Sequence, residues 1–565
     1  MTDLDDRDTP FYWTTLFVRT LVDHGVQHVV ISPGSRSTPL TLAAAAHPAL
    51  KKHIILDERS AAFTALGIGK ATGTPPVLVC TSGTALANYY PAVIEARQSG
   101  IPLILATADR PPHLRATGAN QAIDQLKIFG DYPVFFHEVG EPRSAQIDRN
   151  RLQMLARQTI SMAQDKRGPV HLNFPFRKPL EPNPAFVTKI EEENRADSPS
   201  SQYDSSRAVF PITDAIKRVI AKSKRPLIIV GPTAANDDTS TVAALAEKLH
   251  CPILTESTVD SKYTIEGFAG FLRNKKVAKQ HQPDLILRFG FQPTAKALEV
   301  ALKEWNCTNH YHFASTDDWQ DATFSGSRHL PWLGKKLLLE EVSASTDTAW
   351  LNHWQQTEAA FDNHFEQSIG QSKTITDGHI YTEILPQCNE DKFIAVSNSF
   401  PARDIQLFGP KATQYDLFLN RGASGIDGVT STAMGISLAT QQPGVLFTGD
   451  LAFLHDSNAL LSQKIIDQHL TIIVINNSGG SIFRMLPIEQ HDNYFKEYFE
   501  TPQSVDIQQL VAAHDIPFHR ITTLAKLQNF DLNKWQADHS GLSVIECQTD
   551  ADASMKLRKN IWDFQ

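Results

Sequence analysis

The chain has 565 residues, 53 basic against 62 acidic, a formal net charge of −9 at pH 7 and 41% apolar residues. A net-acidic chain with no long basic block excludes nucleic acid as a natural partner, and its length calls for about three or four domains of the usual size. The five cysteines form no Cys-x-x-Cys pair, residues 1–10 are acidic, and no apolar run approaches the roughly 18 residues of a membrane span, so neither a zinc site nor a disulfide framework nor a membrane span is expected and a reducing cytoplasm is the natural compartment.

Short apolar strands alternate with helix-like segments from the start: His28–Ile31, His53–Leu56, Val77–Cys80, Leu103–Ala106 and Val170–Phe174. This alternation predicts a doubly wound parallel sheet. A polar stretch, Glu191–Ser206, reads as a linker. A second alternating block opens at Pro226–Gly231 and continues through Leu285–Leu287 and Tyr311–Phe313, followed by a polar helix around Thr348–Phe365 and a loop, Gly370–Gly378. The third block runs from Phe393–Val396 to Ser543–Ile545. The fold class is therefore α/β, with three doubly wound, mainly parallel domains at 1–190, 207–345 and 371–565. The first and third each open with a strand that runs into a serine-containing turn, at Ser32 and Ser397, a similarity too weak to establish a repeat.

In an open parallel sheet, ligands bind at the carboxyl ends of the strands, so residues just after strands are the candidates. The turn Ser32-Pro33-Gly34-Ser35-Arg36-Ser37 precedes an alanine-rich helix. Its amides and Arg36 suit an anion, although alone it reads as a capped turn with Pro39 in the first helical turn. Asp57-Glu58-Arg59 precedes the helix beginning near Ala61, where a carboxylate either offsets the helix dipole or does acid–base work. Thr81–Ala85 has a strand-to-helix setting, while Ala108-Asp109-Arg110-Pro111 and Gly118-Ala119-Asn120-Gln121 add a cation and an amide. In the third block Ser399 and Arg403 share a helix face if the helix starts near Ser399. The run Asn420-Arg421-Gly422-Ala423-Ser424-Gly425-Ile426-Asp427-Gly428 combines close backbone approach at its glycines with a cation suited to a carboxylate. A single arginine is more often a surface ion pair; four on crevice loops, Arg36, Arg110, Arg403 and Arg421, shift that balance.

The most informative stretch comes late. One strand ends in Gly449-Asp450 and another, Ile472–Ile475, ends in Asn476-Asn477-Ser478-Gly479-Gly480, with room between for a right-handed crossover. Both ends are turn formers. They are also a donor set: Asp450, the Asn477 amide and the Gly479 carbonyl offer a hard cation such as Mg2+ three oxygens, leaving room for phosphate oxygens and water.

Taken in order, these motifs resemble the thiamin diphosphate-dependent enzyme family, and within it the 2-succinyl-5-enolpyruvyl-6-hydroxy-3-cyclohexene-1-carboxylate synthases of menaquinone biosynthesis. The resemblance is dense in the first and third blocks and weak in the middle. It implies thiamin diphosphate with Mg2+ or Mn2+ as cofactors and 2-oxoglutarate and isochorismate as substrates. It also implies a homodimer or homotetramer in which a cofactor bridges two sheets across a subunit interface. Glu58 would activate the cofactor, Asp450, Asn477 and Gly479 hold the metal, Gly425 and Gly449 line the cofactor, and Ile426 bend it. Ser35, Arg36, Arg110, Gln121, Lys296, Ser399, Arg403 and Arg421 would meet substrate carboxylates, and Ile482, Phe483 and Leu486 wall the cavity. Some relatives carry a Lys-Arg pair where this chain has Lys296-Ala297. The rival readings are another thiamin diphosphate-dependent 2-oxoacid decarboxylase or carboligase, and a noncatalytic nucleotide-binding regulatory protein.

Overall fold

The computed structural model describes residues 5–196, 209–343, 346–389, 391–409 and 414–565. The chain forms two compact units. One gathers the chain up to residue 205 with Gly422–Gln441 and Asp456–Ile466, and the other takes Ser206–Arg421, Gln442–His455 and Asp467–Gln565.

Among the described residues the first unit holds six strands, β1 (His28–Ile31), β2 (Lys51–Ile54), β3 (Val77–Cys80), β4 (Leu103–Asp109), β5 (Phe135–Glu138) and β6 (Pro169–Pro175). They form one parallel sheet in the order β2-β1-β3-β4-β6-β5. The four central strands are buried along their whole length, so they read as mostly apolar runs, with His28, Thr107, Asp109, His171 and Asn173 buried among them. Helices Thr9–Asp23, Thr38–Ala45 and Gln146–Asp165 cover one face, packing Phe17, Leu40 and Leu155 with Val29, Ile104 and Phe174. Helices Glu58–Thr72 and Tyr90–Gln98 cover the other, packing Leu66 and Val93 with Val30, Leu78 and Leu105. The helix Val429–Thr440 belongs to the same unit and crosses Glu58–Thr72 at two glycines. A Cβ at Gly67 would lie 2.1 Å from the Thr432 carbonyl oxygen, and one at Gly435 would lie 2.0 Å from that of Thr64.

In the second unit the strands are β7 (Phe210–Pro211), β8 (Pro226–Val230), β9 (Ile253–Thr255), β10 (Leu285–Phe289), β11 (His310–Phe313), β12 (Arg328–Leu330), β13 (Leu337–Leu338), β14 (Phe393–Val396), β15 (Asp416–Leu419), β16 (Gly444–Gly449), β17 (Leu470–Asn476), β18 (Phe518–Ile521) and β19 (Leu542–Gln548). They make a five-stranded sheet, β12-β11-β10-β8-β9, a small β13-β7 pair, and a six-stranded sheet, β15-β14-β16-β17-β19-β18, every pairing parallel. Numbered within itself, each six-stranded sheet has the same order, 2-1-3-4-6-5. The likeness that two serine turns only hinted at is thus a shared topology. One apolar core runs from Leu227 and Ile229 of the middle sheet to Ile394, Phe447 and Ile473 of the third.

Several expectations are corrected. The second strand is Lys51–Ile54 rather than His53–Leu56, leaving Leu56 68% exposed ahead of the helix. The fourth strand runs on through Asp109, so Ala108 and Asp109 are buried strand residues and not loop. Strands β5, β9, β12, β15 and β18 were not expected; each is a sheet edge, short or partly polar. The presumed linker begins as helix, since Pro184–Ala196 is helical, and residues 197–206 of that stretch lie outside the described residues. The polar helix extends over Thr348–Gln371, and the loop after it is cut short where Thr376 and His379 form a capping box that starts the helix Asp377–Ile384.

The glycine crossing yields a stability prediction. Gly435→Val should lower stability by about 1–3 kcal/mol or more, because the new side chain meets backbone that cannot swing away; a denaturant midpoint equal to that of the parent chain would contradict the close approach.

Candidate active site

The first unit presents its loops at the carboxyl ends of β1 to β4. After β1 the chain turns tightly over β3, since a Cβ at Gly34 would lie 2.3 Å from the Thr81 side chain, and the Arg36 amide donates to Thr81 Oγ1 at 3.2 Å. Arg36 itself is 4% exposed; its Nη1 donates to the Phe176 carbonyl at 2.8 Å and, among the described residues, its Nε has no partner. Arg110, just past β4, likewise keeps a buried Nε with no partner. Such orphaned guanidinium donors suit an incoming carboxylate. Ser35 is exposed on the same turn. Gln121, at a left-handed φ of 58°, donates to the Ser82 carbonyl at 3.0 Å and accepts from Ser82 Oγ at its own carbonyl.

Glu58 is the first residue of its helix, half-buried, with Asp57 as the N-cap accepting from the amides of Arg59 and Ser60. Burial raises the Glu58 carboxyl above the ordinary glutamate range, a backbone hydrogen bond opposes this, and neighbouring Asp57 adds to it. Three further side chains of this unit, Asn458, Asp456 and Glu95, fix the surrounding backbone. Asn458 donates to Asp57 Oδ2 at 2.6 Å, and buried Asp456 accepts from the Ser431 amide (2.7 Å) and hydroxyl (3.1 Å), so the segment 456–458 ties the start of the Glu58 helix to the start of Val429–Thr440. Burial pushes the Asp456 carboxyl up to about 7, against the pull of Ser431 and Arg59. Glu95, 3% exposed, holds the amides of Gly422 and Ala423 at 2.9 and 2.6 Å. This anchors the loop that carries Gly425 and partly buried Ile426. The loop closes at Gly428 (φ 64°), where a Cβ would sit 1.9 Å from the Phe63 ring.

In the second unit β16 and β17 are in register, Gly449 opposite Ile475, so Asp450 and Asn477 emerge at neighbouring strand ends. Asp450 starts a short helix, 6% exposed; its Oδ2 accepts from the Gly479 amide at 2.7 Å and its Oδ1 from that of Leu451 at 2.9 Å. Burial pushes its carboxyl up to about 7, the backbone donors resist, and Asp377 nearby raises it further. Asn477 donates from Nδ2 to Asp377 Oδ2 at 3.1 Å and accepts at Oδ1 from Ser481 Oγ at 3.1 Å. Gly479 has φ 122°, and a Cβ there would lie 2.2 Å from the Glu500 carbonyl oxygen. Among the described residues nothing stands within 4 Å of where a Cβ of Gly449 would point, which leaves room beside the pair. Among the described residues no three of His, Cys, Asp and Glu gather as a metal site. The set is one carboxylate with neutral oxygens, the kind that fits a hard cation sharing its shell with phosphate and water.

The same edge gathers Ser399, Arg403 and Arg421. Ser399 caps the helix Phe400–Phe408 at a left-handed φ of 71°, strain of the sort that clusters at functional sites, and its carbonyl accepts from Arg403 Nη1 at 2.8 Å. Arg421 donates to Asn398 Oδ1 at 3.0 Å. It also lines a cavity at the carboxyl ends of β8 and β9, with Pro232, Thr255, Glu256, Thr294 and Ile405. Ile482 and Phe483 are half-buried in a short 3-10 turn, Phe483 edge-on to Phe499, while Leu486 is 51% exposed. Arg484 is held by Glu500 and Asp552 rather than aimed into solvent. Lys296 opens the helix Lys296–Trp305 on an exposed face, its amine 2.9 Å from Glu299.

Sequence reading missed Glu95, Asp456, Asp377 and Arg558. Glu95 left a trace, a carboxylate among the apolar positions Ala92, Val93 and Ala96 of its helix; Asp377 falls within the expected loop Gly370–Gly378, and Asp456 and Arg558 belong to no local motif.

Three family models match: the N-terminal TPP binding domain of thiamine pyrophosphate enzymes over residues 13–128, the middle domain over 186–391, and the C-terminal TPP binding domain over 406–547. Among curated relatives, the 2-succinyl-5-enolpyruvyl-6-hydroxy-3-cyclohexene-1-carboxylate synthase of Haloquadratum walsbyi is 37% identical, covering 98% of this chain and 97% of its own. Those of Microcystis aeruginosa and Bacillus pumilus are 37% and 33% identical, each over 97% of both chains. With three parallel α/β sheets and these matches along its length, the chain belongs to the thiamine pyrophosphate enzyme family.

Proposed function

We propose that the chain is a thiamin diphosphate- and Mg2+-dependent synthase (Mn2+ serving as well) that decarboxylates 2-oxoglutarate and adds the succinyl carbanion equivalent to isochorismate, giving 2-succinyl-5-enolpyruvyl-6-hydroxy-3-cyclohexene-1-carboxylate. The observation that carries this reading is the pairing of Asp450 with Asn477 at neighbouring strand ends, in a chain similar to synthases of that name over nearly its full length. The proposal includes domains at 1–190, 207–345 and 371–565, a homodimer or homotetramer, and a cytoplasmic setting. Among the described residues no helix is long and apolar enough to cross a membrane.

When bound, thiamin diphosphate supplies the electron sink that a 2-oxoacid needs to lose carbon dioxide. Asp450, the Asn477 amide oxygen and the Gly479 carbonyl would hold the cation that carries the diphosphate, with Gly449 and Gly425 giving close backbone approach. Ile426 would press against the cofactor as an apolar wedge. Glu58 would share a proton with the aminopyrimidine ring, and its carboxyl, raised by burial, suits that task because it holds a proton more readily than an exposed glutamate. Two dicarboxylic substrates entering a net-acidic protein need local cations. Arg36, Arg110, Arg403 and Arg421 would orient them, with Ser35, Gln121, Ser399 and Lys296 adding donors and Ile482, Phe483 and Leu486 an apolar wall.

Glu58→Gln should leave Mg2+ and diphosphate binding intact while slowing hydrogen–deuterium exchange at the thiazolium C2 of bound cofactor by about 10²–10⁴-fold; exchange at the parent rate would remove Glu58 from the mechanism. Asp450→Ala should weaken Mg2+-dependent cofactor binding, and a titration indistinguishable from the parent would count against the clamp. Arg36→Met should raise the KM of a carboxylate substrate by about tenfold or more, as expected for losing a charge-assisted pair, with cofactor affinity unchanged; an unaltered KM for both acids would place Arg36 outside the substrate site.

A further inference from the structure

Behind the pair Asp450 and Asn477 lies a buried cluster that no part of the proposed chemistry uses. Asp377, 1% exposed, begins the helix Asp377–Ile384. Its Oδ1 accepts from Thr549 Oγ1 at 2.6 Å, its Oδ2 accepts from Arg558 Nη2 at 2.7 Å and from Asn477 Nδ2 at 3.1 Å, and its amide donates to Ser554 Oγ at 3.0 Å. Arg558 is equally buried; it lies 3.8 Å over the Phe400 ring, and it also binds Asp404, with Nε donating to Oδ1 at 2.9 Å. Every side of the Asp377 carboxylate is thus fixed by the third sheet's own helices and strand ends.

A buried ion pair of this kind is weak evidence for stability, because desolvation offsets most of its attraction and apolar replacements often do as well. Its value lies in what it dictates to its neighbour. A carboxylate paired with arginine accepts hydrogen bonds and donates none, so the part of the Asn477 amide facing it must be the NH2 group. The amide oxygen then has to point the other way, toward Ser481 Oγ, a hydroxyl that suits either orientation and here donates to Oδ1 at 3.1 Å. Turned over, the amide would set its oxygen against the Asp377 carboxylate and its NH2 where a cation is to sit, unfavourable at both ends.

We infer that Asp377, locked by Arg558, is a positioning residue that holds Asn477 with its amide oxygen presented for a divalent cation. This rests on the reading of Asp450 and Asn477 as metal ligands. Outer groups that orient ligands commonly contribute about 10–100-fold to metal affinity. Nothing about Asp377 requires that it touch the cation, the cofactor or a substrate.

The test is a Mg2+ titration of thiamin diphosphate binding to the full chain, with the melting temperature of each metal-free protein measured alongside. Asp377→Asn, which can donate as well as accept, should raise the half-saturating Mg2+ concentration by about 10–100-fold. The exchanged pair, Asp377→Asn with Asn477→Asp, should recover most of that loss, because residue 477 then offers an oxygen whichever way it turns. A recovery in Mg2+ affinity without a matching recovery in melting temperature separates orientation from mere support. An unchanged midpoint in folded D377N overturns the inference, as does an exchanged pair no better than D377N. Should D377N fail to fold, N477D alone is compared with the exchanged pair: N477D sets two carboxylates against each other and should bind Mg2+ more weakly, and equal affinities would overturn the inference. Asp450→Ala, run in parallel, distinguishes the two levels. If it too leaves the midpoint unchanged, the metal site itself is wrong; if it alone shifts the midpoint, only the role of Asp377 is.

Discussion

Parallel pairing is the constraint on which the rest of this protein depends. When every strand of a sheet points the same way, every loop that follows a strand emerges on one edge, and residues far apart in sequence share a crevice. Asp450 and Asn477 owe their adjacency to the register of β16 with β17, and Ser399 and Arg421 follow β14 and β15 on the same edge. In the first unit the Arg36 turn, Glu58 and Arg110 follow β1, β2 and β4 in the same manner. That both six-stranded sheets use the order 2-1-3-4-6-5 means one architectural solution has been used twice, with different residues grafted on its edge.

What could be read in the sequence follows from burial. Strands flanked on both sides and covered on both faces, such as β1, β3 and β14, appear as runs of apolar residues because no position along them meets water, and their limits matched expectation. The edge strands did not. β5 contains His137 and Glu138, β15 starts at Asp416, and β18 reads Phe-His-Arg-Ile, since an edge strand is only half enclosed and charges are tolerated there. β2 shows the same effect as a shift of register, with Lys51 and Lys52 inside the strand and apolar Leu56 outside it. The loops that carry the candidate site were legible because their chemistry is local: Gly-Asp, Asn-Asn and the glycine-spaced run after Arg421 are contiguous motifs.

The supporting charges were illegible for the opposite reason. Asp377 meets Arg558 across most of the third sheet's sequence, and Glu95 reaches Gly422 and Ala423 from a distant helix. Neither pairing has a local pattern, since each depends on which faces the folded helices turn inward. Buried carboxylates of this kind are costly to leave unsatisfied, so each is met by several donors, and the backbone or side chain that supplies those donors is fixed in return. Asp456 and Asn458 together thereby join the start of the Glu58 helix to the helix that follows Ile426, and Glu256 caps the amides of Thr294 and Ala295 beside the cavity that Arg421 lines. Rigid support of this sort is what places reacting groups to within the tolerance catalysis demands.

The central claim is the proposed activity, a thiamin diphosphate-dependent union of two dicarboxylic acids. The most direct measurement is to incubate the purified chain with thiamin diphosphate, Mg2+, 2-oxoglutarate and isochorismate, and to follow isochorismate loss and product mass. The account predicts one succinylated adduct, formed with release of carbon dioxide and absent when any of the four components is omitted. Carbon dioxide release with no adduct, or no turnover and no cofactor binding, would contradict it.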